Sequence, residues 1–224
     1  DCAKNSALLK NKRHINLPNM IDTSTFRPFD KKKSKELWSL TSNKKIILFG
    51  TLNAADDPRK GFSELSKALH QITVPNVELV IFGSGKPKYP PDFGFKTHYL
   101  GTLDNDESLA QLYSAADVMV VPSLQENLSN VIMESLACAT PVVGFNIGGN
   151  KDMIDHKKNG YLAEPFDVID LKNGIEWILK NDIRKKAREK VLLNFDSKIV
   201  VKNYIKLYKN ILNEKSHGMA EHAI

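Results

Sequence analysis

The chain has 224 residues, 42% hydrophobic and 26% charged, with a formal charge of +6 at neutral pH and a mean hydropathy of -0.33. That length fits one large domain or two small ones with a substantial core, in an ordinary globular composition. No apolar run approaches the roughly 18 residues of a membrane span, the N-terminus lacks a secretory pattern, and neither aromatic platforms nor a recognition helix points to nucleic acid. Cys2 and Cys138 make no disulfide or zinc pattern, and the histidines show no ligand spacing, so a reducing compartment fits. The basic clusters Lys10–Arg13, Lys31–Lys35 and Arg184–Lys190 suit an anionic ligand or an anionic membrane surface, although each taken alone reads rather as a solvated helix face.

In chain order, a short extended lead-in at His14–Leu17 is followed by a loop with Pro18, Asn19 and Pro28, then a polar helix near Lys33–Leu40. Lys45–Gly50 reads as a buried strand and Gly61–Ile72 as an amphipathic helix. Val77–Phe82 is a second strand, ended by Gly83-Ser84-Gly85; a proline-rich loop, Lys86–Phe93, leads to a short strand near Thr97–Leu100. Asp106–Ala116 is helical, with Asp106 as the expected N-cap. Strands at Val118–Pro122 and Pro141–Phe145 flank a helix from Leu128 to Cys138. A short strand at Tyr161–Ala163 precedes helices at Val168–Lys180, Ile183–Asn194 and Lys198–Lys215, and the chain from Gly218 reads as frayed. Strands alternating with helices predict a doubly wound parallel α/β sheet, Rossmann-like, in a single domain with extra C-terminal helices.

The most informative segment runs from Glu126 to Glu134. A strand delivers a polar loop and the loop opens a helix, which is where open parallel sheets bind ligands. The helix is apolar on most sides, yet Asn130 and Glu134 fall on one stripe. A carboxylate among such neighbours is costly unless hydrogen-bonded, and the hydroxyls of a ribose would satisfy Glu134. Arg59 and Lys60, just before a helix start at Gly61, form a natural clamp for a diphosphate. Gly83 and Gly85 would let a ligand approach the backbone, although the third glycine of the dinucleotide fingerprint is missing. Asp104 and Asp106 have a metal-binding look, but a helix cap accounts for Asp106.

These motifs together resemble the C-terminal domain of family-four retaining glycosyltransferases, two-domain enzymes of the GT-B fold. Leu17-Pro18-Asn19-Met20-Ile21-Asp22 with Phe26 and Pro28, Ile46–Gly50 followed by Lys60-Gly61, Val121-Pro122-Ser123 with Glu126 and Glu134, and Thr140-Pro141-Val142-Val143 through Gly148-Gly149 match in order, over nearly the whole chain from about residue 8. The resemblance implies a site for a UDP-sugar or GDP-sugar donor and transfer with retention, without a metal or other cofactor. Glu134 would hold the ribose, and Lys60 the diphosphate with the amides of Leu128, Ser129 and Asn130. Glu126 would be the catalytic residue beside the donor sugar, next to Asn127, and the base would rest near Gly83–Gly85 and Leu100–Leu103. The family often carries an arginine after the strand glycine, where Thr51 stands; Arg59 is the candidate to replace it.

The same resemblance implies that residues 1–16 are an interdomain segment and 17–195 the nucleotide-sugar-binding domain. Residues 196–215 would form an amphipathic helix packing toward an N-terminal acceptor domain absent from this chain, with a frayed tail at 216–224. The full-length enzyme would be cytoplasmic, with peripheral association at the inner membrane face, and the isolated domain inactive alone. A non-catalytic binding module on the same fold and a nucleotide-sugar epimerase are the alternatives.

Overall fold

Six strands, most of them apolar runs, form a single parallel sheet, while the one at Thr97-His98-Tyr99 is a polar run. The computed structural model describes residues 2–50 and 57–220. Its strands are β1 (Lys45–Gly50), β2 (Val77–Phe82), β3 (Thr97–Tyr99), β4 (Val118–Val121), β5 (Val142–Phe145) and β6 (Gly160–Ala163), in the order β3-β2-β1-β4-β5-β6. All neighbouring pairs are parallel; Lys45 lies against Val77, and Ile47 against Val118. The helices are α1 (Cys2–Asn5), α2 (Lys31–Leu37), α3 (Phe62–Leu69), α4 (Asp106–Ala115), α5 (Asn130–Ala137), α6 (Asn150–Met153), α7 (Val168–Lys180), α8 (Arg184–Asn194) and α9 (Ser197–Ala220).

The alternation of strand side chains makes two cores. Ile46, Leu48, Val80, Phe82, Met119 and Val121 face α4, α5 and α8. Ile47, Phe49, Leu79, Ile81, Val120 and Phe145 face α3 and α7. Chain order runs outward from β1 through β2 to β3, then returns to β4 beside β1 and continues the other way. The crevice beyond the carboxyl ends of β1 and β4 is therefore the topological switch point, the usual ligand position in such sheets. At the opposite end of the sheet Asp117, just ahead of β4, accepts from Lys31 Nζ at 2.7 Å and from the Ile46 amide at 2.9 Å.

The structure shortens several expected helices. The helix read at Gly61–Ile72 is α3, Phe62–Leu69, because Gly61 adopts φ 70° and turns the chain before it. The helix read from Leu128 begins only at Asn130. The lead-in at His14–Leu17 joins no sheet; the nearest ladder contact is the bridge of Ile21 to Asp196. Asn105, not Asp106, caps α4, its side chain accepting from the Ser108 amide; it stands in extended backbone one residue earlier, where that reach is possible. On α9, Val200 is buried while Ile205, Tyr208 and Leu212 are exposed.

Candidate active site

Two glycine turns fix the loop that follows β4. Gly61 presses so closely on this loop that a Cβ there would stand 1.8 Å from the Pro122 carbonyl oxygen. The Leu124 amide donates to the Arg59 carbonyl at 2.7 Å across the same contact. On the other side Gly148, at φ 51°, would bring a Cβ to 1.9 Å from the Glu126 carbonyl, and the Gly149 amide donates to the Asn127 carbonyl at 2.7 Å. Only glycine permits both approaches.

Held this way, Glu126 and Lys60 face each other, Nζ to Oε2 3.9 Å, at a small cavity of about 30 Å³ lined also by Gly50, Pro122, Ser123 and Ser129. Glu126 Oε1 takes the Asn127 amide at 3.1 Å. Ser129 stands at the N-cap of α5, but its side chain makes no capping bond, and among the described residues no side chain covers the first-turn amides. A cation and a helix N-terminus thus converge beside a carboxylate at the switch point. That combination can hold an anionic group.

Arg59, expected in a clamp with Lys60, instead turns back to Asp57, with Nε and Nη2 at 2.9 and 3.0 Å from its two carboxylate oxygens. Thr51 lies outside the described residues. Asn127 and Asn130 are exposed and Leu128 is half-buried. Asn130 borders a separate, larger groove of about 550 Å³, between the Pro18–Met20 loop and Val201, Tyr204, Ile205 and Tyr208 of α9. Gly83, at φ 82°, ends β2 and donates to the Gly101 carbonyl at 2.7 Å; Gly85 beyond it is exposed with open space around it. Leu103, like Leu100 and Leu109, is partly buried against the core.

One turn into α5, Glu134 is half-buried and its Oε2 accepts from the hydroxyl of Tyr113 on α4 at 2.9 Å. Burial pushes the carboxyl above its ordinary range, the Tyr113 bond pulls it down, and Asp106 adds to the rise. Tyr113 is fully buried, with its ring edge-on to Phe82 at 5.9 Å. The Phe82 ring fills the place a side chain at position 50 would take, 2.2 Å from an added Cβ. Phe82 and Tyr113 thus form a packed link from Gly50 to Glu134. Neither carries a sequence signal for a site, since an aromatic at the end of a buried strand or on the inner face of a helix reads as core. Among the described residues no group of three His, Cys, Asp or Glu stands close enough to hold a metal, and no helix is long and apolar enough to cross a membrane.

Comparison with known proteins decides which family has this arrangement. The family model described as "Glycosyl transferases group 1" matches residues 30–191. The chain belongs to this family. This group 1 chain is 24% identical over 217 residues to N-acetyl-alpha-D-glucosaminyl L-malate synthase of Bacillus anthracis, covering 89% of this chain and 54% of the relative. Among solved structures it resembles sucrose-phosphate synthase from Thermosynechococcus elongatus, with TM-score 0.80, 25% identity, and 95% and 56% of the two chains covered. It also shares its fold with Anabaena HepE in complex with UDP, with TM-score 0.72, 21% identity, and 87% and 57% covered. The group 1 chain thus spans about half the length of these proteins, and its six-stranded parallel sheet has the Rossmann-like fold of the GT-B glycosyltransferases it resembles.

Proposed function

We propose that this chain is the nucleotide-sugar-binding half of a retaining glycosyltransferase. The observation that carries this reading is the pairing, at one switch point, of the Lys60–Glu126 cavity with the uncapped N-terminus of α5 and the half-buried Glu134 one turn along the same helix. Glu134 accepts the ribose hydroxyls of the donor, a UDP-sugar or GDP-sugar. Lys60 and the amides of Leu128, Ser129 and Asn130 take the diphosphate, and Glu126 lies beside the sugar. The base sits near Gly83–Gly85 and Leu103. The family match and the UDP held by a protein of the same fold support a nucleotide ligand.

In the transfer, the bond between the anomeric carbon and the diphosphate oxygen breaks, and its electron pair leaves with the diphosphate. The acceptor oxygen bonds to that carbon on the same face and gives its proton to the departing diphosphate oxygen. Lys60 and the helix N-terminus stabilise the charge gathering on the leaving group, so no metal is required. The acceptor, a glycan or lipid-linked molecule, is held by the other half of the full-length protein. That protein works in the cytoplasm, peripherally at the inner membrane face, and this half alone transfers no sugar.

Calorimetric titration with UDP, GDP and ADP and their sugars, repeated with Glu134→Ala, tests the reading. One nucleotide bound selectively, and lost in the variant, is the expected result. A folded chain and a folded full-length protein that both bind none would overturn it.

A further inference from the structure

We infer that Tyr113 is a positioning residue that makes the site selective for ribose, by aiming the Glu134 carboxylate at a vicinal diol. This rests on the proposed nucleotide site. The geometry is specific. The Tyr113 hydroxyl donates to Oε2 of Glu134 at 2.9 Å, across two helices and 21 positions of sequence. Among the described residues Oε1 has no hydrogen-bond partner. The carboxylate is therefore held from behind by one donor, while its other oxygen is left for the ligand.

A flexible glutamate would lose rotamer freedom on binding a ribose. Here that freedom is already lost. The Tyr113 ring cannot swing away, because it is fully buried and packed edge-on to Phe82 at 5.9 Å. Tyrosine is also the right partner chemically, since a phenol donates one strong hydrogen bond without bringing a positive charge. A lysine or arginine at this place would neutralise the carboxylate and compete with the ligand hydroxyls for it.

The ionic setting follows from the neighbouring elements. From α4, Glu134 faces Tyr113 and Asp106. From α8, Arg188 reaches α5 but spends its guanidinium on the Ala137 carbonyl. On its own helix the nearest titratable group is Cys138, whose thiol burial pushes up to about 12 and so keeps neutral. The carboxyl is raised above its ordinary range, and Tyr113 works against that rise. Diol hydroxyls bind the ionised form, so ribose recognition weakens as pH falls through the raised value, and sooner without the phenol.

The test is calorimetric titration of wild type and Tyr113→Phe with UDP and GDP and with their 2′-deoxy and 3′-deoxy analogues, across a range of pH. Wild type is expected to prefer the ribonucleotide by about tenfold or more, the loss expected for a charge-assisted hydrogen bond. In Y113F the preference narrows to about threefold or less, deoxy affinities hold, and the pH midpoint of ribonucleotide binding rises. A folded Y113F with the wild-type preference and midpoint overturns this inference while the nucleotide site stands. Failure of both the folded chain and the folded full-length protein to bind any nucleotide overturns both. Should Y113F not fold, NMR titration of the wild type decides: the Tyr113 hydroxyl proton must shift together with the Glu134 carboxyl resonance, and independent titration refutes the pairing.

Discussion

Replacing Gly61 by alanine strikes the contact on which the site depends. At φ 70° the residue is in the left-handed region, where an L side chain costs about 1–2 kcal/mol. The added Cβ would also fall 1.8 Å from the Pro122 carbonyl oxygen, whereas real Cβ atoms essentially never come within 3.0 Å, so the two segments must part by ~1.2 Å. That obstacle is backbone on both sides, and rearrangements of this kind cost about 1–3 kcal/mol. The total of roughly 2–5 kcal/mol corresponds, for a chain of this size, to a fall in Tm of about 5–15 °C. Lys60 is the preceding residue, so its approach to Glu126 is lost as the turn retreats, and nucleotide affinity falls with it. Thermal and urea unfolding of Gly61→Ala, beside Gly85→Ala as control, measure the effect. Position 85 has nothing within 4 Å of an added Cβ and should be nearly silent. If the two variants melt within a degree or two of each other, the close approach at Gly61 does not fix the loop.

Lys60→Ala should weaken nucleoside diphosphate binding about 10- to 100-fold and leave the nucleoside alone unaffected, as one charge-assisted contact is lost; unchanged diphosphate affinity by calorimetry would refute the role. Burial presses the Glu176 carboxyl up, but the Thr73 amide and hydroxyl and Lys172 outweigh it and hold the group at about 2. A depressed folded-state value adds stability that is present above the ordinary 4.5 and lost as pH falls toward 2. Glu176→Gln should therefore cost about 2–3 kcal/mol in urea unfolding at pH 7, with the difference closing in acid; a pH-independent difference would contradict this. Arg188 donates to the carbonyls of Thr23, Phe26 and Ala137. Arg188→Met should cost about 2–4 kcal/mol by stranding them, and Arg188→Lys should recover little of it, because a single ammonium cannot match the planar fork; full rescue by lysine would show that charge alone matters.

The sheet was legible because a parallel strand buried on both faces is written as an unbroken apolar run, as in Ile46-Ile47-Leu48-Phe49 and Val118-Met119-Val120-Val121. The position of Glu126, Lys60 and Glu134 at strand ends and on a helix followed from those runs. The start of α5 is hard to place from sequence because its N-cap residue makes no capping bond, and the cap of α4 is ambiguous because Asn105 and Asp106 both suit the position. Sequence spacing also placed Asn130 and Glu134 on one stripe. In the fold, Glu134 meets Tyr113 of α4, while Asn130 borders the groove toward α9. Periodicity along one helix cannot say which neighbour each residue meets.

The cluster Arg184–Lys190 shows best why charge pattern alone misleads. Read along the chain it offers a surface for anions or a solvated face. In the fold Arg184 donates to the carbonyls of Ser114 and Ala116, at the end of α4, and Arg188 to that of Ala137, at the end of α5. Two cations one turn apart on α8 thus sit at the negative poles of the two helices that carry Tyr113 and Glu134. The carbonyl ends of these helices are satisfied by the protein itself. The amide end of α5 has no side-chain cap, and it opens beside Lys60 and Glu126. A helix anchored at its negative pole and open at its positive one is arranged to receive an anion from outside the chain, which is what the diphosphate of a sugar donor would supply.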